Sequence, residues 1–165
     1  MEIDLPPDIV WETVADLEAL PRVVTTVTAY ERVSGSPPVV GSRFRETRLH
    51  RGREFTLLKT VTELKDSPET EPVGQRWLSL GIHFVNPNGS DASTINTSTL
   101  IVLSVDNKSS RLILTGAFQS GSCVDHINNW CCYPCIKSLV STSSAQELED
   151  YRVAAMERHQ KINNA

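Results

Sequence analysis

The chain is best understood from its C-terminal stretch, which reads VDHINNWCCYPCIKSLV at residues 124–140 and, after a Ser/Thr run, AQELEDYRVAAMERHQ at residues 145–160. From Ala145 onward strong helix formers dominate, and neither Gly nor Pro interrupts them, which predicts a helix. Apolar residues recur at roughly helical spacing and form one stripe. The stripe consists of Leu139, Val140, Leu148, Tyr151, Ala155 and Ile162.

Two features predict that this helix is not uniform. Pro134 lacks a backbone donor and clashes with the preceding turn, so we expect a kink or break near residues 130–133. The run at residues 141–144 has weak helix propensity and predicts a second bend. We therefore expect a short first piece, a kink and a long second piece.

The chain before this helix alternates mainly as strands do. A short strand at Glu2–Leu5 precedes two short helices, one opened by Pro6-Pro7-Asp8 and one near Leu17–Leu20. Six further strands are predicted at residues 23–33, 41–50, 53–64, 75–85, 93–105 and 111–119. Because a curved sheet and one long helix can bury their apolar faces together, we predict an α+β fold with an antiparallel sheet of about seven strands.

Composition excludes several classes of function. The 165 residues fit one domain, and the net charge of -4 does not favour nucleic acid as a partner. No apolar run reaches the roughly 18 residues that a transmembrane span needs. No targeting segment is visible, so we expect an intracellular, cytoplasmic protein unless such a segment has been removed. No nucleotide motif occurs, and we expect no cofactor. The oligomeric state, monomer or dimer, stays open.

All four cysteines lie close together, at Cys123, Cys131, Cys132 and Cys135. Disulfide frameworks usually spread their cysteines to close loops, so this clustering favours reduced thiols. On a helix, Cys131 and Cys135 would lie one turn apart and could bind a soft metal ion. The alternative, which we prefer, is that they act as small buried apolar side chains or free thiols, so that no metal is bound.

Three segments together resemble a known superfamily. LPPDIVWETVADLEALP at residues 5–21 resembles the opening pattern P-x-x-V-W-x-x-x-x-D-x-x-x-x-P, and VGSRFRETR at 40–48 with GRE at 52–54 resembles the second motif. With the order of elements and the terminal helix, the whole chain resembles the START/polyketide-cyclase-like superfamily, also called SRPBCC or Bet v 1-like. The Cys-Cys-Tyr-Pro-Cys segment at residues 131–135 departs from its pattern.

The resemblance implies a helix-grip fold, in which a curved sheet wraps around the terminal helix and encloses a cavity. It therefore implies binding or transport of a small hydrophobic molecule, such as a lipid, isoprenoid, sterol or polyketide. It also permits a polyketide cyclase or dehydratase, in which Glu46 acts as general base and Arg48 stabilises an enolate. That role needs burial to raise the pKa of the carboxylate. A protein-interaction module without a ligand is a third hypothesis.

Strand alternation predicts which side chains would line such a cavity, because one parity per strand faces the helix. For residues 53–64 and 75–85 the inward parity stays open. The predicted apolar lining is Phe44, Leu57, Leu80, Ile82, Ile101, Leu103, Leu114, Phe118, Leu139 and Val140. Each of these residues could equally pack in a filled core.

Two charged residues share the parity of Phe44. If Phe44 faces inward, Glu46 and Arg48 do too, and buried charges are costly unless they are paired. We interpret them as a polar anchor for a ligand carboxylate, hydroxyl or carbonyl. The alternatives are a salt bridge at the exposed strand end, or the opposite register with both side chains in solvent.

Overall fold

Seven strands and one long helix build the fold in a computed structural model that describes residues 1–36, 38–50, 52–70, 73–85, 96–117 and 133–164. For residues 53, 84 and 133–143 only the backbone is described. The strands are β1 (Glu2–Ile3), β2 (Val27–Ser34), β3 (Arg43–His50), β4 (Arg53–Lys65), β5 (Gln75–Phe84), β6 (Asn96–Ser104) and β7 (Ser110–Ala117). The helices are α1 (Pro7–Ala15), a 3₁₀ turn (Leu17–Ala19), α2 (Leu20–Val23) and α3 (Tyr133–Asn163).

The strands form a single antiparallel sheet in the order β1-β7-β6-β5-β4-β3-β2. Each strand from β2 to β7 pairs with its neighbour in the chain, and β1 closes against β7. The predicted α+β class, the seven strands, the two short helical segments after β1 and the long C-terminal helix are confirmed.

A continuous apolar core fills one end of the space between the sheet and the helices. Val10, Trp11 and Val14 of α1 are buried in it, together with Tyr151 and Ala155 of α3. The sheet contributes one buried residue or more from most strands: Ile3, Val27, Phe44, Val61, Leu78, Leu80, Leu100, Val102 and Leu112. Each such side chain contributes about 1.5–3 kcal/mol when it is fully buried, so this end of the fold is held mainly by apolar packing.

The strand register fixes which residues face the helix. Glu46 lies opposite Leu57, and Leu57 opposite Phe84, so the inward set on β4 includes Phe55, Leu57 and Val61. Directly opposed residues share a face of the sheet. The same rule identifies the inward residues of β5 and β6, where Leu80 lies opposite Ser98. The open question of parity in residues 53–64 and 75–85 is thereby answered.

On β6 the predicted parity is wrong. Leu100 and Val102 lie opposite the inward Leu78 and Arg76, so Ile101 and Leu103 face the outer side of the sheet. The core accordingly contains Leu100 and Val102. The run from Leu100 to Leu103 is apolar on both faces, so alternation alone cannot fix its phase.

A β-bulge in β4 changes the parity of that strand near its end. The register shifts between Val61 and Glu63, so Val61 and Leu64 both face inward although three positions separate them. Lys65 consequently lies on the outer face, where its ammonium stands 5.1 Å above the centre of the Trp77 ring. An extra residue in one strand is the normal origin of such a switch.

Helix α3 is continuous from Tyr133 to Asn163. The Ser/Thr run at residues 141–144 does not interrupt it, so the weak propensity predicted there does not end the helix. The kink predicted near residues 130–133 lies outside the described residues apart from Tyr133. No helix in the described ranges is both long and apolar enough to cross a membrane.

The second half of α3 is fixed to the rest of the fold by polar contacts. Asp150 is buried and accepts hydrogen bonds from the backbone N–H and the hydroxyl of Thr25, each at 2.8 Å. The amide of Gln146 donates to its other oxygen, also at 2.8 Å. Nearer the C-terminus, Arg158 pairs with Glu12 of α1 at 3.2 Å.

We expect Asp150→Ala to lower the free energy of unfolding by about 2–3 kcal/mol, because it leaves the Thr25 N–H without its charged acceptor. Urea denaturation followed by circular dichroism measures the change. The control is Glu149→Ala, since Glu149 is a more exposed neighbour that pairs with Arg152 one turn away. Equal effects of the two variants would contradict the anchoring role of Asp150.

Candidate functional site

Strand β3 places two charged side chains on the inner face, as predicted. Phe44, Glu46 and Arg48 alternate with less buried neighbours, and their exposed fractions are 0%, 0% and 7%. Phe44 belongs to the apolar core, and Glu46 follows it toward the other end of the strand. The charged pair therefore lies at the border of the packed core.

Glu46 is held by two cations through one of its oxygens. Arg48 Nε donates to Oε1 at 2.5 Å, and Lys59 Nζ lies 2.7 Å from the same atom. The second oxygen, Oε2, is buried and has no hydrogen-bond partner in the described part of the chain. A carboxylate with one saturated and one open oxygen can accept a further hydrogen bond there.

Sequence reasoning missed Lys59. It lies on β4 between Leu57 and Val61, shares their inward parity, and is 4% exposed. The same alternation that selected Leu57 would have found it, but only apolar residues were considered on this strand. A long aliphatic stem allows a lysine to line an apolar interior while its ammonium reaches a carboxylate.

Helix α3 completes this cluster with a second carboxylate. Glu147 Oε2 accepts a hydrogen bond from Arg48 Nη1 at 2.8 Å, and this bond joins the helix to β3. Sequence reasoning missed Glu147 as well, although it stands four residues before Tyr151 and eight before Ala155. We call Glu46, Arg48, Lys59 and Glu147 the charged cluster; it carries two positive and two negative side chains.

Tyr151 packs beside the charged cluster and is 2% exposed. Burial raises the pKa of its phenol well above the ordinary value, and the nearby Glu147 and Glu46 carboxylates raise it further. The hydroxyl of Tyr151 therefore stays protonated at physiological pH.

The electrostatics of Glu46 differ from those that a general base would need. Burial alone would raise the pKa of Glu46, but Lys59 and Arg48 together hold that pKa below its ordinary value. The pKa of Arg48 is raised: burial opposes this, and Glu46 and Glu147 outweigh it. The condition that burial raises the pKa of Glu46 is thus not met, and the carboxylate is a weak base.

An aromatic pair borders the cluster on the β2 side. Tyr30 lies opposite Glu46 in the register, and its ring stacks on Phe44 with 5.3 Å between centroids and 29° between planes. Burial, followed by the negative charge of Asp16, raises the pKa of Tyr30. Tyr30 was not among the predicted site residues, since the alternation of β2 was not analysed.

The remaining predicted lining residues divide into three groups. Leu80 is part of the packed core and Leu114 is partly buried against it, whereas Leu57 lies opposite Glu46 and Ile82 lies opposite Lys59 on the inner face. Ile101 and Leu103 face outward and are removed from the predicted lining. Outside the described residues or side chains lie Phe118, Leu139 and Val140, together with Cys123, Cys131, Cys132 and Cys135.

The described residues contain no group of three or more His, Cys, Asp and Glu side chains that could hold a metal ion. The proposed pair of Cys131 and Cys135 is not tested by this finding, because neither side chain is described.

A pocket of about 320 Å³ lies away from the charged cluster, near the start of α1. Its walls come from the first turn of α1, the β4–β5 connection and the ends of β5 and β6. Within it Arg76 pairs with Asp8 at 2.7 Å. None of the predicted lining residues contributes to this pocket.

Comparison with known proteins gives structural neighbours only. No protein-family model and no curated protein sequence matches the chain. Among solved structures, the Zhui aromatase/cyclase from Streptomyces sp. R1128 aligns with a TM-score of 0.64 at 13% identity, covering 96% of this chain and 91% of that one. Ara h 8.0201 aligns with a TM-score of 0.62 at 12% identity, covering 95% and 94%.

The di-domain ARO/CYC BexL from the BE-7585A biosynthetic pathway also aligns, with a TM-score of 0.62 at 18% identity. The alignment covers 94% of this chain and 44% of BexL. At such low identities the likeness establishes the fold and nothing finer. The strand order, the terminal helix and these neighbours together show that the chain has the helix-grip fold of the START/polyketide-cyclase-like (SRPBCC, Bet v 1-like) superfamily.

Proposed function

We propose that this protein binds a small hydrophobic molecule between the inner face of the sheet and the N-terminal half of α3, with the charged cluster as its polar anchor. The observation that carries this proposal is a change in burial along the inner face. Leu78, Leu100 and Leu112 are packed in the core, whereas Ile82 and Leu114 on the same face are only half-buried. An apolar surface inside the fold that stays accessible is suited to an apolar ligand.

The inner face also carries small residues at paired positions. Ser98 lies opposite Gly116 on the inner face, next to Leu114 along β7. Gly116 is exposed and Ser98 half-buried. Small side chains at paired positions leave volume that Leu or Phe would fill, which favours a ligand at this end of the fold.

The position of the charged cluster supports the same proposal. Burying ion pairs is expensive, and replacing such a pair by well-packed apolar residues is often neutral or stabilising. A functional role therefore explains a cluster of four charged side chains at the border of the packed core better than a contribution to stability does. Orienting the polar end of a bound molecule is a task that fits this place.

The cyclase hypothesis has weaker support. The Zhui protein and BexL are described as aromatase/cyclases, but the likeness to this chain is limited to the fold. Glu46, the candidate base, has a lowered pKa and already accepts two charged donors. Neither this alternative nor the interaction module is proposed.

Binding is tested with an uncharged lipophilic dye, N-phenyl-1-naphthylamine, and with native mass spectrometry of protein purified from its own host. We expect dye fluorescence to rise on mixing and a co-purified apolar molecule to appear. We expect Leu114→Arg to weaken dye binding about tenfold or more, because a charge on the inner face is costly to bury.

The matched control is Thr115→Arg, which adds the same side chain on the outer face one residue away. It should leave dye binding unchanged, and circular dichroism should show that both variants are folded. Bare protein in the mass spectrum together with no dye binding would overturn the proposed function.

An anchor that accepts hydrogen bonds requires Glu46 to be ionised at neutral pH. Its folded-state pKa is lowered, so its charge stabilises the fold above the unfolded-state pKa of about 4.3, and this contribution is lost as pH falls through the folded-state value. We expect Glu46→Gln to lower the free energy of unfolding at pH 7 by on the order of 3 kcal/mol.

Urea denaturation from pH 7 to pH 3 measures this pH dependence. The difference between wild type and Glu46→Gln should shrink below pH of about 4. As a control, Glu31→Gln alters a glutamate with a 67% exposed side chain that pairs with Arg45, and it should show little difference at any pH. A gap between wild type and Glu46→Gln that widens in acid would mean that Glu46 is not held ionised.

A further inference from the structure

We propose that the polar end of the bound molecule is an uncharged hydroxyl, of an alcohol or a phenol, that donates its hydrogen bond to Oε2 of Glu46. This inference rests on the proposed function and names the chemistry of the ligand that the same site selects. It replaces the broader set of carboxylate, hydroxyl and carbonyl groups that the sequence left open.

The first argument is the unequal use of the two oxygens of Glu46. Oε1 receives Arg48 Nε at 2.5 Å and Lys59 Nζ at 2.7 Å, whereas Oε2 is buried without a partner among the described residues. Glu46 itself is 0% exposed, so the ligand hydroxyl reaches Oε2 by displacing the side chains that cover it. A buried acceptor with no donor is unfavourable, and a ligand that supplies the donor removes that cost.

The second argument is that an ionised carboxylate only accepts hydrogen bonds. Ethers, esters and ketones bring acceptors alone, so none of them can pair with Oε2. A hydroxyl brings a donor, and its own oxygen can still accept from a nearby N–H group of Arg48 or Lys59. Because Oε2 belongs to a charged group, the bond it accepts is of the stronger, charge-assisted kind.

The third argument is charge balance. The positive charges of Arg48 and Lys59 are matched by Glu46 and Glu147, with contacts of 2.5–2.8 Å. A ligand carboxylate would place a third negative charge in this buried region, and an ammonium would place a third positive one. Either would be unbalanced and therefore penalised by burial. A hydroxyl adds no net charge.

The test compares ligands that share a ten-carbon chain and differ at one end: 1-decanol, 1-methoxydecane, decanoate and decane. Dissociation constants are measured at pH 7 by displacement of the dye and by calorimetry. We expect 1-decanol to bind about tenfold tighter than 1-methoxydecane, the size of effect that a hydrogen bond to a charged group gives. Decanoate should bind at least about tenfold more weakly than 1-decanol for the reason of charge balance.

The variant Glu46→Gln sharpens this comparison. Since Arg48 and Lys59 donate to one position, the amide oxygen of Gln should stay there, which places the amide nitrogen where Oε2 was. The atom at the former Oε2 position is then the amide nitrogen, which donates a hydrogen bond and cannot accept one. We expect the preference for 1-decanol over 1-methoxydecane to be lost or reversed, whereas the surface control Glu31→Gln should keep it.

The outcomes separate this inference from the proposed function. If no probe binds, decane included, the proposed function fails and the inference falls with it. If the probes bind but 1-methoxydecane or decanoate binds as tightly as 1-decanol, the hydroxyl preference is wrong and the proposed function stands. The series on the wild-type protein decides this even if Glu46→Gln does not fold.

Discussion

The interior of this protein depends on one constraint: an ionised Glu46 that is cut off from water. A carboxylate in that position is tolerable only because Arg48 and Lys59 both reach its Oε1 atom. Arg48 in turn needs Glu147, so a charge on β3 fixes the part of α3 that crosses it. The contact of β3 with α3 at Glu147 and the polarity of the interior thus depend on the same four side chains.

Much of this arrangement could be predicted from the sequence. Alternation on β3 placed Phe44, Glu46 and Arg48 on one face, because they stand two positions apart and Phe44 marks the inward side. It failed on β6, where Leu100 to Leu103 are all apolar and only the pairing with β5 determines the phase. Lys59 could have been found by the same alternation, had charged residues been considered.

Other features depend on contacts between distant parts of the chain, which a single sequence does not display. Glu147 and Arg48 are separated by 99 positions. The pKa of Glu46 is the result of opposing effects, and its direction follows only when both cations are placed. For the same reason the weak helix propensity of residues 141–144 does not interrupt the helix, although it predicted a bend there. Contacts of Glu147, Asp150 and Arg158 outweigh local preference in α3.

The bulge in β4 separates two tasks along one strand. Before it, inward positions such as Leu57 and Lys59 lie at the charged cluster, where we propose that the ligand binds; after it, Leu64 packs against the core and Lys65 covers Trp77. The extra residue changes which sequence parity faces inward, so the side chains of each segment keep their own orientation toward the sheet faces. Substitutions in the first segment could therefore change the ligand preference during evolution without altering the strand register of the second segment. Deletion of Thr62 or Glu63 would remove the bulge and the local bend that it produces, while Leu64 would stay inward opposite Leu78 and Lys65 would stay outward opposite Trp77.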